Sequence, residues 1–524
     1  MSRLGKAAVW VSGGILLSRI LGFIRDVVIT GLLGSGPGAD EYVAAFFVPD
    51  LLFYLMAGGY LSITFIPILS RHLAAGDEAG GWRSFAAVAK PVVVLMLVFT
   101  AAAMAAAGWL VDLIYVQFPG SLPGAPTSAL DAQQIAEVTR LTRIVMPAQV
   151  FFMIGSLLMA VQYAHQRFIV PSLAPIVYNL AIITGGVIGS FGGEATPAGF
   201  IWGALAGAFL GNFALQAYGA RACGLRWVRG TSVRDPVVKE YAFLSLPLML
   251  GQSIAVLDEQ FLRVFGNLAG DGAIAQLSYA RRLNMLPVGV IAQAAGVATY
   301  PFLARLVAER KEAEMVATVT RALRYAIFVS GLAVAAVVGA SQPVVRVAFQ
   351  RGAFDVQDTI ATASILALLG LTIPLWAVHQ IYARGFYART EMWAPVAIGT
   401  VWAVISIPLY LEFIERQGLL GVPLASLAAM AGYTLNLGIV WYGRTDERES
   451  SAVLWALGRA AAGASIAGVV IWAAVGAIGG DLQSMSLVRA ITALIGAAIP
   501  GAFVYLAVTR LFGSRELAEL RGRG

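Results

Sequence analysis

Cysteine, histidine and charge are all scarce in this chain. Cys223 is the only cysteine, and the three histidines, His72, His165 and His379, lie far apart in the sequence. An intrachain disulfide is therefore excluded, and neither residue type offers the spacing of a metal site. Charged residues make up 12% of the 524 positions and hydrophobic residues 59%, whereas a soluble chain carries about 25% charge. This balance excludes an ordinary soluble protein and predicts an all-α polytopic membrane protein.

Motifs of nucleotide hydrolysis and of secretion are also missing. No Gly-Lys-Ser/Thr phosphate-binding loop occurs, and no convincing nucleophile and base set, so we predict neither ATP hydrolysis nor another enzyme activity, and no bound cofactor. The first apolar run carries charges and lacks an Ala-x-Ala cleavage site, which predicts a retained helix. The net charge of +7 lies in short basic clusters between apolar runs, which is typical of membrane orientation signals and argues against nucleic acid as a partner.

Apolar runs long enough to cross a bilayer recur about fourteen times. We place them at 8–30, 41–69, 86–115, 138–163, 171–190, 198–220, 240–267, 273–303, 320–341, 358–383, 393–413, 419–442, 454–477 and 486–511. Basic residues gather in alternate connections, for example at 221–239 and 305–311. By the positive-inside rule, this asymmetry predicts that both termini are cytoplasmic.

A weak internal repeat divides the chain. The segment 163–175 resembles 386–395, and 67–71 resembles 301–305. Repeats with a site at their interface are a common plan of transporters, although proline and small residues also recur by chance in glycine-rich membrane chains. The repeat predicts two pseudo-symmetric six-helix bundles and a terminal helix pair. The corresponding segments are 1–222, a basic linker at 223–239, 240–443, and 444–524 with two further helices and a basic tail.

One stretch of the first helix places three ionised side chains within an apolar run. Ser18, Arg19, Gly22, Arg25 and Asp26 fall within an arc of about 120° on one helix face. A centrally placed arginine costs about 2.5–3.5 kcal/mol on insertion scales, so such residues normally face a bundle interior or a water-filled cavity. The stretch therefore predicts a cationic cavity.

A second charged region lies in the seventh predicted helix. Glu259 and Arg263 stand at i and i+4 in the favourable order, which favours a neutralised pair inside the bundle over a substrate site. Asp258 points about 100° away from that face. Two interpretations of Asp258 stay open: a carboxylate that couples transport to Na⁺ or H⁺, or a partner of an arginine elsewhere.

The eighth and second predicted helices add further polar positions. Ser278 and Arg282 lie on one stripe of small and polar residues, so we expect both in the cavity, with snorkelling of Arg282 to the headgroups as the alternative. Arg281 lies about 100° off that stripe and faces a neighbouring helix or the membrane interface. Asp40 is either a gate or counter-ion, or simply a solvated helix start.

Several of these motifs resemble one known family. They are Ser18-Arg19-x-x-Gly22-Phe23-x-Arg25-Asp26, Ala39-Asp40, Ala45-Phe46-x-x-Pro49, Phe65-x-Pro67 and Tyr279-Ala280-x-Arg282-Leu283-x-x-x-Pro287. Over nearly the whole chain, the sequence resembles the MurJ (MviN-type) lipid II flippases of the MOP (multidrug/oligosaccharidyl-lipid/polysaccharide) exporter superfamily. The first of these motifs is fairly specific.

The resemblance implies a fold, a substrate and a site. It implies two six-helix bundles in a V, with a terminal helix pair that forms a groove for the lipid tail. Arg19, Arg25 and Arg282 would bind the substrate diphosphate, and Asp26 and Asp40 would support the site or gate it. The expected partners are lipid II, or a related polyprenyl-diphosphate lipid, and the bilayer of the bacterial inner membrane, and we expect a monomer.

The chain also departs from the family pattern. Many members carry an arginine soon after Pro49, where this chain has Leu51-Leu52-Phe53-Tyr54, and position 281 is often acidic in relatives. A sodium site described for some members uses an aspartate of helix seven, which Asp258 matches, but helix eleven has no matching Asn/Asp pair. The motifs therefore match the flippase pattern at more positions than the sodium site.

We predict a flippase that translocates lipid II to the outer leaflet by alternating access for cell-wall synthesis. The polar head of such a lipid must cross about 30 Å of hydrocarbon, which requires a wet, cationic path. A flippase for another polyprenyl-diphosphate oligosaccharide would need the same arginines. A cation-coupled multidrug exporter is the weaker alternative, because it would need an anionic cavity.

Overall fold

The computed structural model describes residues 3–55, 60–193, 195–232, 234–243, 245, 257–443, 447–480, 485–514 and 516. Within these ranges the chain is helical and contains no β-strand, which confirms the predicted all-α class. Contacts divide it into two compact units, Met1–Pro123 with Thr127–Asn267, and Gly124–Pro126 with Leu268–Gly524. This division assigns Leu257–Gly266 to the first unit. The domain boundaries that we place after 222, 239 and 443 stay predictions.

The first unit contains thirteen α-helices that we label in chain order within the described ranges, two π-helical segments and a helical stretch at 236–243. The α-helices are α1 (Arg3–Leu33), α2 (Pro37–Ala45), α3 (Phe47–Leu55), α4 (Tyr60–Ala74), α5 (Glu78–Ala105), α6 (Ala107–Asp112), α7 (Phe118–Gly120), α8 (Ala132–Val145), α9 (Ala148–Ala164), α10 (Ile169–Ser190), α11 (Pro197–Gly207), α12 (Leu215–Ala222) and α13 (Leu257–Gly266). The π-helical segments are Leu113–Gln117 and Ala208–Ala214.

The second unit continues the α-helical series. Its helices are α14 (Ala273–Ala308), α15 (Glu312–Gly339), α16 (Ser341–Ala348), α17 (Val356–Gly370), α18 (Ile373–Ala388), α19 (Trp393–Gln417), α20 (Gly421–Tyr442), α21 (Glu447–Gly479) and α22 (Leu487–Leu511), with a 3₁₀ turn at Gly418–Leu420.

Nine helices or bent helix pairs in the described ranges are long and apolar enough to cross a membrane. Every predicted run lies on one or more helices wherever the structure describes it. The runs at 41–69 and 240–267 include residues outside the described ranges, so the count of fourteen stays a prediction. The polytopic membrane architecture itself is confirmed.

The second predicted run is interrupted, because a proline removes one backbone donor. Pro49 has no N–H that could donate to the carbonyl of Ala45, four residues earlier. Helix α2 ends at Ala45 because this hydrogen bond is missing. The Thr142 hydroxyl donates to that Ala45 carbonyl instead, at 3.1 Å. The fully buried Tyr115 hydroxyl donates to the neighbouring Ala44 carbonyl at 3.3 Å. Side chains from two other helical segments therefore satisfy the backbone at the break.

Helices α10 and α11 pack backbone to backbone. A Cβ atom on Gly203 would lie 2.5 Å from the carbonyl oxygen of Ala181, and one on Gly185 would lie 2.5 Å from that of Gly199. Only glycine allows so close an approach at these positions, which is the usual way that membrane helices associate tightly. Helix α1 packs along α10, so it lies against this closely packed pair.

The second unit has its own apolar core. Helix α15 packs against α21, and α21 packs against α22. Buried Ala467, Ile471 and Tyr505 lie in the contact, and the Tyr505 hydroxyl donates to the Phe328 carbonyl at 2.6 Å. The two terminal helices are therefore attached to α15 by both packing and a buried hydrogen bond.

The internal repeat appears as two matching bent helix pairs. Ala132–Ala164 and Val356–Ala388 each span 33 residues, and 132 to 356 and 164 to 388 are the same offset of 224 positions. Each pair follows an aspartate that forms a capping box, Asp131 or Asp355. These shared ends and caps support two pseudo-symmetric halves.

The matching pairs also end alike. Each is followed by a non-glycine residue in the left-handed conformation, Gln166 with φ 56° and Thr390 with φ 63°. The next amide then donates back into the last turn: Arg167 to the Gln162 carbonyl at 2.8 Å, and Glu391 to that of Phe386 at 2.9 Å. This is a Schellman-type helix end, repeated at the same offset.

Candidate functional site

The charged stretch of α1 forms a hydrogen-bonded cluster with α10. The Nε and Nη2 groups of Arg25 donate to Oδ1 of Asp26 at 3.1 and 2.8 Å. Nη1 of Arg25 donates to Oδ1 of Asn179 at 3.0 Å. Asp26 is buried, while the Arg25 side chain is 21% exposed. The cluster therefore holds a guanidinium in a fixed orientation with one side still accessible.

Asn179 is a site residue that the sequence analysis missed. Its amide nitrogen donates to the Pro175 carbonyl at 2.9 Å and to the Ser18 carbonyl at 3.4 Å. The amide therefore joins α10 to the backbone of α1 while its oxygen orients Arg25. A signal was present, because Asn179 is the only amide or charged side chain in the apolar run 169–190.

The geometry at Arg25 leaves part of the guanidinium for a ligand. Arginine has five N–H bonds in a planar fork, and in the described part of the chain Asp26 and Asn179 accept three of them. Two N–H bonds remain. That number matches a bidentate contact to a phosphate or carboxylate, which arginine forms more readily than lysine.

The other predicted residues of the first unit differ in exposure. Arg19 is exposed and Ser18 is half-buried. Asp40, in the first turn of α2, is only 2% exposed, so its interpretation as a solvated helix start is wrong. A role for Asp40 in gating or as a counter-ion stays a prediction.

The predicted pair on α13 is confirmed and has a third member. Nη2 of Arg263 donates to Glu259 at 2.8 Å, and Nη1 donates to Asp50 of α3, also at 2.8 Å. The Arg263 side chain is 10% exposed, so its charge requires compensation within the protein. Asp50 was not assigned to this pair from the sequence. The arrangement is a neutralising triad that joins α13 to α3.

Asp258 lies one position before this triad. It is half-buried on α13. The structure therefore leaves coupling of an ion through Asp258 as a prediction.

The predicted residues of the second unit lie on α14. Ser278 and Arg282 are both half-buried. The guanidinium carbon of Arg281 lies 5.9 Å from the ring centre of Trp376 on α18, so Arg281 faces a neighbouring helix, one of its two predicted orientations. Arg282 belongs to the second unit and Arg19 and Arg25 belong to the first. Binding of one diphosphate by all three arginines stays a prediction.

The second unit also contains an apolar cavity of about 480 Å³. Its lining comes from α15, α21 and the bend between α17 and α18, including Gly331, Val334, Leu371, Ala464 and Trp472. Among the described residues, no charged side chain lines it. The resemblance implies a tail groove on the terminal helix pair, whereas the described lining of this cavity comes from α21 but not from α22. A hydrocarbon chain fits such walls, since burial of apolar surface provides the attraction.

Comparisons with known proteins identify one family over most of the chain. A family model described as lipid II flippase MurJ matches residues 29–491. The probable lipid II flippase MurJ of Rhizobium tropici is 28% identical, over 98% of this chain and 96% of its own length. The probable lipid II flippase MurJ of Rhizobium meliloti (strain 1021) is 26% identical, over 98% of this chain and 94% of its own length.

Solved structures share the fold. The structure of lipid II flippase MurJ in an inward closed conformation aligns with a TM-score of 0.73 at 20% identity, over 96% of this chain and 98% of that one. An inward-facing multidrug resistance MATE family transporter of the MOP superfamily aligns with a TM-score of 0.63 at 17% identity, over 87% and 98%. At these identities the likeness concerns the architecture alone.

Proposed function

Because this chain belongs to the lipid II flippase MurJ family, we propose that it translocates lipid II, the undecaprenyl-diphosphate-linked peptidoglycan precursor, across the bacterial plasma membrane. The family match spans 29–491, and relatives that match nearly end to end carry the same name. The chain is a multi-pass membrane transporter, and the lipid moves from the cytoplasmic to the outer leaflet to supply cell-wall synthesis. Both termini face the cytoplasm in this proposal.

The observation that carries the substrate class is the orientation of Arg25. Asp26 and Asn179 hold its guanidinium and leave two N–H bonds for an anion. Charge-assisted bidentate contacts are well suited to a diphosphate. Arg19 and Arg282 contribute further contacts, and Asp40 and Ser278 shape the path. The polyprenyl tail stays in lipid or in apolar grooves such as the cavity beside α21.

Transport requires the head to reach each side of the membrane in turn. The two repeated halves provide the elements whose relative movement gives alternating access in many transporters. We further propose that Asp258 couples this cycle to Na⁺ or H⁺, since a carboxylate on a membrane helix usually has a functional role. Asp258→Asn should flatten the dependence of lipid movement on the ion gradient. Unchanged gradient dependence would remove Asp258 from the coupling mechanism.

The experiment uses purified protein in lipid vesicles with fluorescent lipid II in one leaflet. The parent should move lipid II between leaflets, and Arg25→Ala should abolish the movement. Arg416→Ala is the matched control, because Arg416 is 72% exposed and pairs only with Glu412 on its own helix in the described part of the chain. No transport by the folded parent, or full transport by Arg25→Ala, would contradict the proposal.

A further inference from the structure

The chain folds back on itself just beyond its last long helix. After α22 ends at Leu511, Gly513 adopts φ 75° and the Ser514 amide donates to the Thr509 carbonyl at 3.0 Å. This reversal directs Glu516 against α15 and α21. The Glu516 side chain is only 3% exposed, which is unusual for a carboxylate.

Two arginines from different helices hold that carboxylate. Nε of Arg324, on α15, donates to Oε1 of Glu516 at 2.9 Å. Nη2 of Arg459, on α21, lies 3.4 Å from the same oxygen. The Ser514 hydroxyl donates to Oε2 at 2.5 Å. The side chains of Arg324 and Arg459 are 20% and 15% exposed. Helices α15, α21 and α22 therefore enclose a small anion site that the Glu516 carboxylate fills.

The ionisation of Glu516 fits this description. Burial acts to raise its pKa, but hydrogen bonds from Ser514, from the backbone amide of Glu516 and from Arg324, together with the charge of Arg324, outweigh it and hold the pKa below the usual range of a glutamate. The group is thus a carboxylate at neutral pH.

The anion site lies beside the apolar cavity. Ala460 lines both of them. Arg459 is the neighbouring residue on α21, and Arg324 lies one helical turn before Ile327, which also lines the cavity. A long hydrocarbon chain in the cavity would therefore have two arginines close to it on α15 and α21.

We propose that Arg324 and Arg459 bind the phosphate of a long-chain membrane lipid whose tail lies in the cavity, and that Glu516 occupies the same arginines as a competing internal ligand. The inference deepens the proposed function, because a lipid-linked phosphate is the substrate class. The lipid phosphate binds only after Glu516 has left the two arginines. The apparent affinity for the lipid is therefore the intrinsic affinity multiplied by the fraction of protein in which Glu516 is displaced.

The test measures lipid affinity of the purified full-length protein by native mass spectrometry. The probes are undecaprenyl phosphate, phosphatidylglycerol and inorganic phosphate. Glu516→Gln keeps the shape of the side chain but removes the competing charge, and should raise the affinity for the lipid phosphate about 10-fold or more, as expected for loss of a charge-assisted contact. Addition of Arg324→Ala to Glu516→Gln should abolish the gain. The lipid that shows the larger gain identifies the natural source of the phosphate.

Glu314→Gln is the matched control, since Glu314 lies on α15 with its side chain 62% exposed and takes no part in the site. It should leave lipid affinity unchanged. If Glu516→Gln folds poorly, Ser514→Ala provides the second variant, because it removes one donor to Glu516 and should raise lipid affinity in the same direction.

Two results would overturn the inference. One is a Glu516→Gln protein that unfolds at lower temperature but binds lipid phosphate as the parent does, which would make the contact purely structural. The other is an equal increase in affinity for inorganic phosphate and for both lipids on Glu516→Gln. That result would show that the hydrocarbon chain contributes nothing to binding at the anion site. Neither result depends on transport. If the parent moves lipid II in vesicles, the proposed function stands even when this inference fails.

Discussion

The Arg25 guanidinium is oriented by Asp26 on its own helix and by Asn179 on α10. Arg25 and Asp26 are adjacent on one helix, so their common polar face could be read from the helical period. Asn179 lies 154 positions away from Arg25. No local pattern specifies such a contact, because it depends on which helix packs beside α1. Sequence spacing therefore located the cationic face but not the residue that orients it.

Asn179 offers a prediction that separates charge from structure. Asn179→Asp keeps an oxygen that accepts from Arg25 but adds a negative charge beside it. We expect Asn179→Asp to weaken binding of a diphosphate lipid more than Asn179→Ala does, because the added charge neutralises the guanidinium. Lipid affinity of the purified variants measures this order. A purely structural Asn179 would give the reverse order, and Thr184→Ala, at an exposed position of the same helix, should have no effect.

The Arg263 triad supports a prediction about stability. Arg263→Ala would leave Asp50 and Glu259 without the guanidinium that bridges them. Removal of one partner of a buried ion pair costs about 3–5 kcal/mol, whereas an exposed pair on one helix contributes about 0.3–0.5 kcal/mol. Thermal unfolding in detergent should therefore show a large loss for Arg263→Ala and little change for Arg416→Ala. Equal losses would show that the triad has no special role in stability.

Asp50 could not have been assigned to this triad from local spacing. Glu259 and Arg263 are one helical turn apart, and their pairing was predicted and confirmed. Asp50 lies 213 positions from Arg263. The sequence also predicted one continuous run at 41–69 and not the break after α2. The contact between Asp50 and Arg263 depends on how α3 and α13 pack together, which local spacing does not specify.

At the scale of whole helices, apolar runs were predicted well and their interruptions less well. Long hydrophobic segments are specified by bilayer thickness, and each predicted run lies on helical structure wherever the chain is described. The bends after Val145 and Gly370, and the π-helical segment Ala208–Ala214, lie within such runs. These features depend on contacts with neighbouring helices, which hydropathy does not record.

The close packing of α10 on α11 gives a prediction at this scale. Gly203→Ala would place a methyl group 2.5 Å from the Ala181 carbonyl oxygen, so the helices must separate. Overpacking of this kind costs about 1–3 kcal/mol, and the thermal midpoint and folded yield should both fall. Gly476→Ala is the control, because a Cβ atom there meets nothing within 4 Å. Equal behaviour of the two variants would contradict the packing argument.

For the molecule as a whole, the internal repeat could be detected from similar residues in the two halves of the sequence. The two bent helix pairs are offset by 224 positions, which agrees with the separation of those similar segments. What the sequence did not reveal was that each pair shares a capping box and a left-handed end. Those features arise from turn chemistry in loops, where many sequences adopt the same backbone.

The orientation of the molecule can be tested with single cysteines. In a Cys223→Ser background, cysteines introduced at Gly124 and Gly480 should react with an impermeant label added to intact cells, because the positive-inside rule places these connections outside. A cysteine at Ala75 should not react until the cells are opened. Reversed labelling would overturn the predicted orientation of both termini.

We expect Arg19, Arg25 and Arg282 to recognise the diphosphate of lipid II, which a comparison of lipid binding can show. Purified parent protein and the variants Arg19→Ala, Arg25→Ala and Arg282→Ala would be compared for binding of lipid II and of the same lipid without its diphosphate. The parent should prefer lipid II, and each variant should lose that preference by about 10- to 150-fold, the equivalent of one charge-assisted contact. Folded alanine variants that still discriminate between the two lipids as the parent does would contradict the claim.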